Sequence, residues 1–195
     1  MNYLCSCRRR HGAAADACGA RRQLLGLAAL AVLGPLGALA GCGERGGDTQ
    51  ALAPVEIDRA TSCELDGMLL ADYPGPKAQV HFVGQDKPSF FCDTVELFST
   101  LLAGEQVRVA RAIYVQDMGK TDWEHPSGHW IDARSAIYVM GSKRHGSMGP
   151  TIASFSQQAD AAKFAAEFGG KVLGFADIKA GMVDLSGGAL HDTRM

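Results

Sequence analysis

PSFFCDTVELFSTLL, residues 88–102, changes its hydrophobic period in the middle. Residues 88–92 form a short apolar run with two aromatics and a cysteine, the composition of a strand. Asp93 or Thr94 can then cap a helix that runs from Thr94 to Leu102. Within it Val95, Leu97, Phe98, Leu101 and Leu102 fall largely on one face, and Gly104 stops it. Before this stretch, residues 77–82 (KAQVHF) alternate and read as a strand. After it, residues 107–115 (VRVARAIYV) are rich in β-branched residues and read as another. The order is strand, strand, helix, strand.

The same order recurs. Residues 136–140 (AIYVM) and 151–155 (TIASF) read as strands. Ser156 is expected to cap a helix continuing through Asp160, Phe164 and Phe168. Gly169 and Gly170 end that helix, and residues 172–175 (VLGF) read as the closing strand. The expected fold class is α+β: two similar strand–strand–helix–strand units, each a small mixed sheet covered by a helix. Each unit is too small to stand alone, so the two are expected to pack together. The first unit spans residues 57–116. Residues 117–183 hold a linker, with Trp123, His125, His129 and Trp130, followed by the second unit. Residues 184–195 read as a disordered tail.

Upstream the chain changes character. Residues 1–41 carry five arginines against one aspartate, a balance of +4, whereas residues 42–195 carry 14 basic and 20 acidic residues, a balance of −6. An acidic body argues against nucleic-acid binding, which needs clustered Lys and Arg. Arg21 and Arg22 precede an uncharged run rich in Leu, Ala and Gly, residues 24–40, which ends at Leu39-Ala40-Gly41-Cys42. A basic start, an apolar centre and a small-residue ending make residues 1–41 an export signal. Its ending resembles a bacterial lipobox, in which the cysteine is lipidated and becomes the mature N-terminus. Residues 42–56 are Gly-rich and polar, and read as a flexible tether. Cleavage at Cys42 removes Cys5, Cys7 and Cys18 and leaves Cys63 and Cys92 in the folded part.

Those two cysteines carry the chemistry open to the chain. Outside the cytoplasm, two cysteines ordinarily read as one structural disulfide. The alternative starts from CELDGM, residues 63–68. Asp66-Gly67 is a turn signal that folds the chain back, so that the Cys63 thiolate and the Met68 thioether can converge. Both are soft donors, and soft donors favour Cu(I). A second candidate stretch, residues 141–150 (GSKRHGSMGP), reads as a Gly-rich loop in which His145 and Met148 lie three apart and can reach one ion. Cys92 has the setting of a buried, inert thiol. His81 reads as structural, and His125 and His129 flank a Pro-Ser-Gly loop. No paired carboxylates, Ser-His-Asp arrangement or phosphate-binding Gly loop is evident.

CELDGM, PGPKAQVHF, PSFFCDTVELF, GHWIDARSAIYV and GSMGPTIASF, taken in order, resemble the NosL family across residues 57–182. NosL proteins are lipoprotein copper chaperones encoded with nitrous oxide reductase. The resemblance implies a non-enzymatic protein that faces the periplasm. With Cys42 lipidated and Gly43 standing where an inner-membrane retention aspartate would be, the lipid anchor at Cys42 is expected in the outer membrane. It implies one bound Cu(I), delivered to nitrous oxide reductase as its copper centres are assembled. Much of the family has a second cysteine three residues after the first; here Asp66 stands at that position. The ligands implied are Cys63 and Met68, with Met148 as the family's loop methionine. Some members have a histidine two residues after that methionine, where this chain has Pro150; His145 is the substitute candidate.

Two other classes compete with the Cu(I) carrier. A thiol-dependent oxidoreductase or lyase-like lipoprotein would use Cys63 and Cys92 as its pair, although the absence of Cys-x-x-Cys leaves no sequence-adjacent thiol to resolve a mixed disulfide. A scaffold lipoprotein would hold them as a structural disulfide.

Overall fold

A computed structural model describes residues 52–183 and residue 185. The expected signal segment, the lipidation site at Cys42 and almost all of the expected tail lie outside the described residues. Among the described residues seven strands and two α-helices follow one another: β1 (Ala78–Phe82), β2 (Ser89–Phe91), α1 (Thr94–Leu102), β3 (Ala110–Gln116), β4 (Trp130–Asp132), β5 (Ile137–Gly146), β6 (Gly149–Phe155), α2 (Gln158–Phe168) and β7 (Lys171–Gly174). One sheet has the order β2-β1-β3-β4 and the other β6-β5-β7. All pairings are antiparallel, not mixed as the sequence suggested. β1–β2 and β5–β6 are joined by short connections, as antiparallel neighbours allow, whereas each helix carries the chain past a central strand, α1 from β2 to β3 across β1 and α2 from β6 to β7 across β5. Among the described residues no helix is long and apolar enough to cross a membrane.

One core joins the two sheets. Ala78, Val80 and Phe82 of β1, Phe91 of β2 and Ile113 and Val115 of β3 pack with Val95, Leu97 and Phe98 of α1. The same cluster takes in Tyr138 of β5, Ile152 of β6 and Leu173 of β7. The Phe98 ring meets the Tyr138 ring edge-on at 5.1 Å. Because side chains alternate along a strand, Val139, next to Tyr138, faces the other way. It joins Ala153 and Phe155 in a second core, closed by Ala161 and Phe164 of α2. The second sheet is thus covered on both faces.

α1 occupies the span expected from its sequence, and its cap explains why. The Asp93 carboxylate accepts the Val95 amide at 2.9 Å and the Thr151 hydroxyl at 2.7 Å, while the Thr94 hydroxyl donates to the Ile152 carbonyl at 2.6 Å. The helix start is therefore fixed to β6 as well as capped.

Several expectations give way. Ser156 does not cap α2: its hydroxyl and amide both donate to the Asp117 carboxylate, and the helix starts later with no side-chain cap. The Gly-rich stretch 141–150 is not an open loop. β5 runs through it to Gly146, with a register irregularity between Met140 and His145, and Gly146 pairs with Gly149 across a two-residue turn, Ser147-Met148. Gly141 at φ 79° and Gly149 at φ 86° supply the backbone that lets a twisted hairpin continue where glycines suggested a break. Part of the expected linker forms β4 on the edge of the first sheet. Residues 52–56, expected to be the end of a flexible tether, include Val55, whose amide and carbonyl are both bonded by the Gln79 side chain at 2.8 and 2.9 Å.

Candidate metal centre

The stretch around Cys63 folds back as the Asp66-Gly67 signal requires. The Cys63 amide donates to the Met68 carbonyl at 2.8 Å, the Gly67 amide to the Cys63 carbonyl at 3.0 Å, and the Met68 amide to the Asp66 carboxylate at 2.9 Å. Gly67 takes φ 76°, a conformation that costs glycine little. Ser62 and Leu69 bridge across the base of the turn. The hairpin is fixed to the first sheet by the Glu64 amide, which donates to the Phe90 carbonyl at 2.8 Å, and by an Arg108–Glu64 ion pair at 3.3 Å.

This docking carries Cys63 to Cys92. Cys92 lies between β2 and the cap of α1, and Glu96 sits in the first turn of that helix. Glu96 turns back toward the helix start, as a carboxylate three residues after a capping Asp tends to do. Its Oε2 accepts the Cys92 amide at 3.1 Å and stands 3.1 Å from Cys63 Sγ and 3.0 Å from Cys92 Sγ. The sulfurs of Cys63 and Cys92 and one carboxylate oxygen each of Asp66 and Glu96 all lie within 4.8 Å of one another. Asp66 is exposed and the other three are buried, so the group has one wet side. Both cysteines are free, and the expected structural disulfide is not formed.

Soft donors complete the surroundings. Met68 and Met148, both half-buried, pack on the cluster of Cys63, Leu70 and Cys92, with Ile57 and Phe90 beside them. Met148 arrives on the tip of the β5–β6 hairpin. Its neighbour Ser147 donates to the Cys92 carbonyl at 2.7 Å and lies 3.1 Å from Cys92 Sγ. Below the site, the buried Lys77 ammonium donates to the carbonyls of Pro74 and Cys92 at 2.8 and 3.0 Å.

The electrostatics separate the two thiols. A hydrogen bond from the Cys92 side chain, with backbone amides of Cys92, Asp66 and Leu65, outweighs burial and brings Cys63 down to about 6. Cys92 is pushed up, first by its hydrogen bond with Cys63, then by burial and by the charge of Glu96. Burial raises Glu96 to about 8, and the Cys63 thiolate beside it acts in the same direction. Burial also lowers Lys77 to about 8. At neutral pH the group therefore offers one ready thiolate, Cys63, beside a retained thiol. A thiolate flanked by thioethers has the donor chemistry of a Cu(I) site.

Of the sequence candidates, Cys63, Met68 and Met148 come together. His145 does not join them: it is exposed on β5 opposite Pro150, and its carbonyl accepts the Trp123 indole N–H at 3.0 Å. His125 and His129 are exposed in the segment before β4, and His81 lies on β1 edge-on to Tyr114. Glu96 was not among the candidates, and Cys92 was one only for thiol chemistry or a structural disulfide, not for the metal. The signal for them was present in Asp93-x-x-Glu96, a capping pattern that aims the glutamate back at Cys92. The fold also places beside Cys63 a second free thiol that sequence spacing lacked.

The sequence profile of the NosL family matches residues 54–183. The copper-binding lipoprotein NosL of Stutzerimonas stutzeri is 39% identical over 168 residues, 84% of this chain and 87% of that protein. The copper-binding lipoprotein NosL of Achromobacter cycloclastes is 38% identical over 138 residues, 69% of this chain and 72% of that protein. The crystal structure of the copper chaperone NosL from Shewanella denitrificans aligns with a TM-score of 0.64 at 40% identity, covering 67% of this chain and 98% of that one. With these likenesses covering both sheets and the Cys63–Met68 turn, the chain belongs to the NosL family.

Proposed function

We propose that this protein is a Cu(I) carrier, not an enzyme, which binds one ion through the Cys63 thiolate and the thioethers of Met68 and Met148. It hands the ion on for assembly of the copper centres of nitrous oxide reductase. The observation that supports this most is the convergence of one low-pKa thiolate and two methionines, from two separate hairpins, on one partly open patch. Relatives at 39% and 38% identity bear the name copper-binding lipoprotein, and the Shewanella structure is that of a copper chaperone. The word lipoprotein in those names supports a lipid anchor; the lipobox-like ending at Cys42 assigns the anchor to that residue, with the body in the periplasm and the anchor in the outer membrane.

The donor set suits transfer. Thioethers are neutral and weak, so a partner's thiolate or imidazole can replace them one at a time while Cys63 still holds the ion. The acidic body would steer the carrier to a basic patch on its acceptor. The test mixes Cu(I)-loaded protein with copper-free nitrous oxide reductase and follows the return of its copper spectrum at low and high salt. Transfer faster than from free Cu(I) at matched concentration, slowed by salt, supports delivery. Transfer no faster than from free Cu(I) reduces the role to storage.

A further inference from the structure

Cys63 and Cys92 are buried and free, and their sulfurs share one hydrogen-bonding oxygen, Glu96 Oε2. An inert buried thiol sits alone among apolar groups. These two lie within 4.8 Å of each other, beside the exposed carboxylate of Asp66. The Glu64 amide, next to Cys63, bonds to the Phe90 carbonyl, two residues before Cys92, at 2.8 Å, so the two segments are held together. A disulfide holds its sulfurs about 2.05 Å apart, so forming the bond requires these two to close by less than about 3 Å.

We propose that this pair is a redox gate on the copper site: Cu(II) reaching the mouth at Asp66 oxidises the two thiols to a Cys63–Cys92 disulfide, and only the dithiol form carries copper. The proposal rests on the Cu(I)-carrier reading. Two Cu(II) ions each gain one electron and leave as Cu(I). The two sulfurs each give up one electron and form the S–S bond. Cys63 reacts as the thiolate, so one proton leaves, that of Cys92, which passes to solvent by way of the Glu96 carboxyl group 3.0 Å from its sulfur. The disulfide removes the one anionic sulfur donor from the site, so the oxidised protein cannot hold Cu(I). A Cu(I) ion already bound occupies Cys63 and shields the pair. Loading thereby depends on copper arriving reduced, and a thiol reductant resets the gate.

The experiment uses the full chain carrying Cys5→Ser, Cys7→Ser, Cys18→Ser and Cys42→Ser, so that the pair is isolated. The protein is reduced, freed of reductant without oxygen, and split. One portion is titrated with Cu(I) against a Cu(I)-specific chelator. The other receives two equivalents of Cu(II), after which chelated Cu(I), free thiols and intact mass are measured. The expected result is two Cu(I) formed per chain, loss of both thiols within a monomer, loss of Cu(I) binding, and recovery of binding with dithiothreitol. A Cu(I)-preloaded sample should keep its thiols. Cys92→Ser should bind Cu(I) within about tenfold of the parent but form no intramolecular disulfide. Thiols that survive Cu(II), or that pair only between chains, overturn the gate. Failure of the Cu(I) titration overturns the carrier reading, whatever the second portion shows.

Discussion

The Ser147 hydroxyl donates to the Cys92 carbonyl at 2.7 Å and rests 3.1 Å from the Cys92 sulfur, so the hairpin tip that carries Met148 is fastened to the residue just before the α1 cap. This contact links the two sheets at the site, beside the bonds that tie Asp93 and Thr94 to β6. Met148 comes from the second sheet and Cys63 from the hairpin on the first, and neither local turn could set their separation.

Ser147→Ala removes the latch and leaves the fold intact. A hydrogen bond of this kind contributes about 1 kcal/mol, so Cu(I) affinity should fall about fivefold, mainly through faster release. Chelator competition and stopped-flow release measure both. Unchanged release would show that the hairpin is held by packing alone.

The thiolate has a definite pH signature. Cys63 titrates near 6 in place of its ordinary 9.0. A depressed folded-state value means that the thiolate contributes stability in full above pH 9, progressively less as pH falls, and none below about 6. Alkylation of Cys63, mapped by mass spectrometry, should accelerate through a midpoint near pH 6. Proton competition with Cu(I) should set in only below that point. A midpoint near 9 would remove the ready thiolate.

Gly146 marks a close backbone approach. A Cβ there would lie 2.1 Å from Asp93 Oδ2 and 3.0 Å from Thr151 Cβ. Gly146→Ala should therefore disturb the α1 cap and the β5–β6 hairpin together. Overpacking typically costs about 1–3 kcal/mol, and a carboxylate at this distance puts the change at the upper end. Thermal unfolding reads the loss; a melting temperature unchanged from the parent would contradict the close approach.

How much of this was legible in the sequence depends on range. α1 was readable to its bounds because its cap, apolar face and Gly104 stop are all local. The Cys63–Met68 reversal was readable because Asp66-Gly67 is a two-residue signal. β5 was cut short because its last residues pair with residues 149–150, and glycines at 141 and 146 speak for a loop until the partner strand is known. Ser156 misled because Asp117, 39 positions earlier, takes its hydroxyl. Cys92 looked inert because the docking of the Cys63 turn on this segment, through the Glu64 amide and the Phe90 carbonyl, is not legible locally. The capping pattern aimed Glu96 at Cys92, but nothing local said that a second sulfur would be there.

The two thioethers should count for less than the thiolate. Met68→Leu and Met148→Leu keep volume and apolarity, and such swaps usually cost under about 1.5 kcal/mol of stability. Each should weaken Cu(I) binding by about tenfold, and the double variant by more than either. A single variant that abolished binding would point to a different ligand hierarchy.

The most direct measurement is the Cu(I) affinity of Cys63→Ser beside the parent, by anaerobic competition with a Cu(I)-specific chelator in one buffer. Serine keeps the shape and removes the only anionic sulfur, so the affinity is predicted to drop by orders of magnitude while the circular dichroism spectrum stays that of the parent. Equal Cu(I) affinity in the two proteins would contradict a copper site built on Cys63.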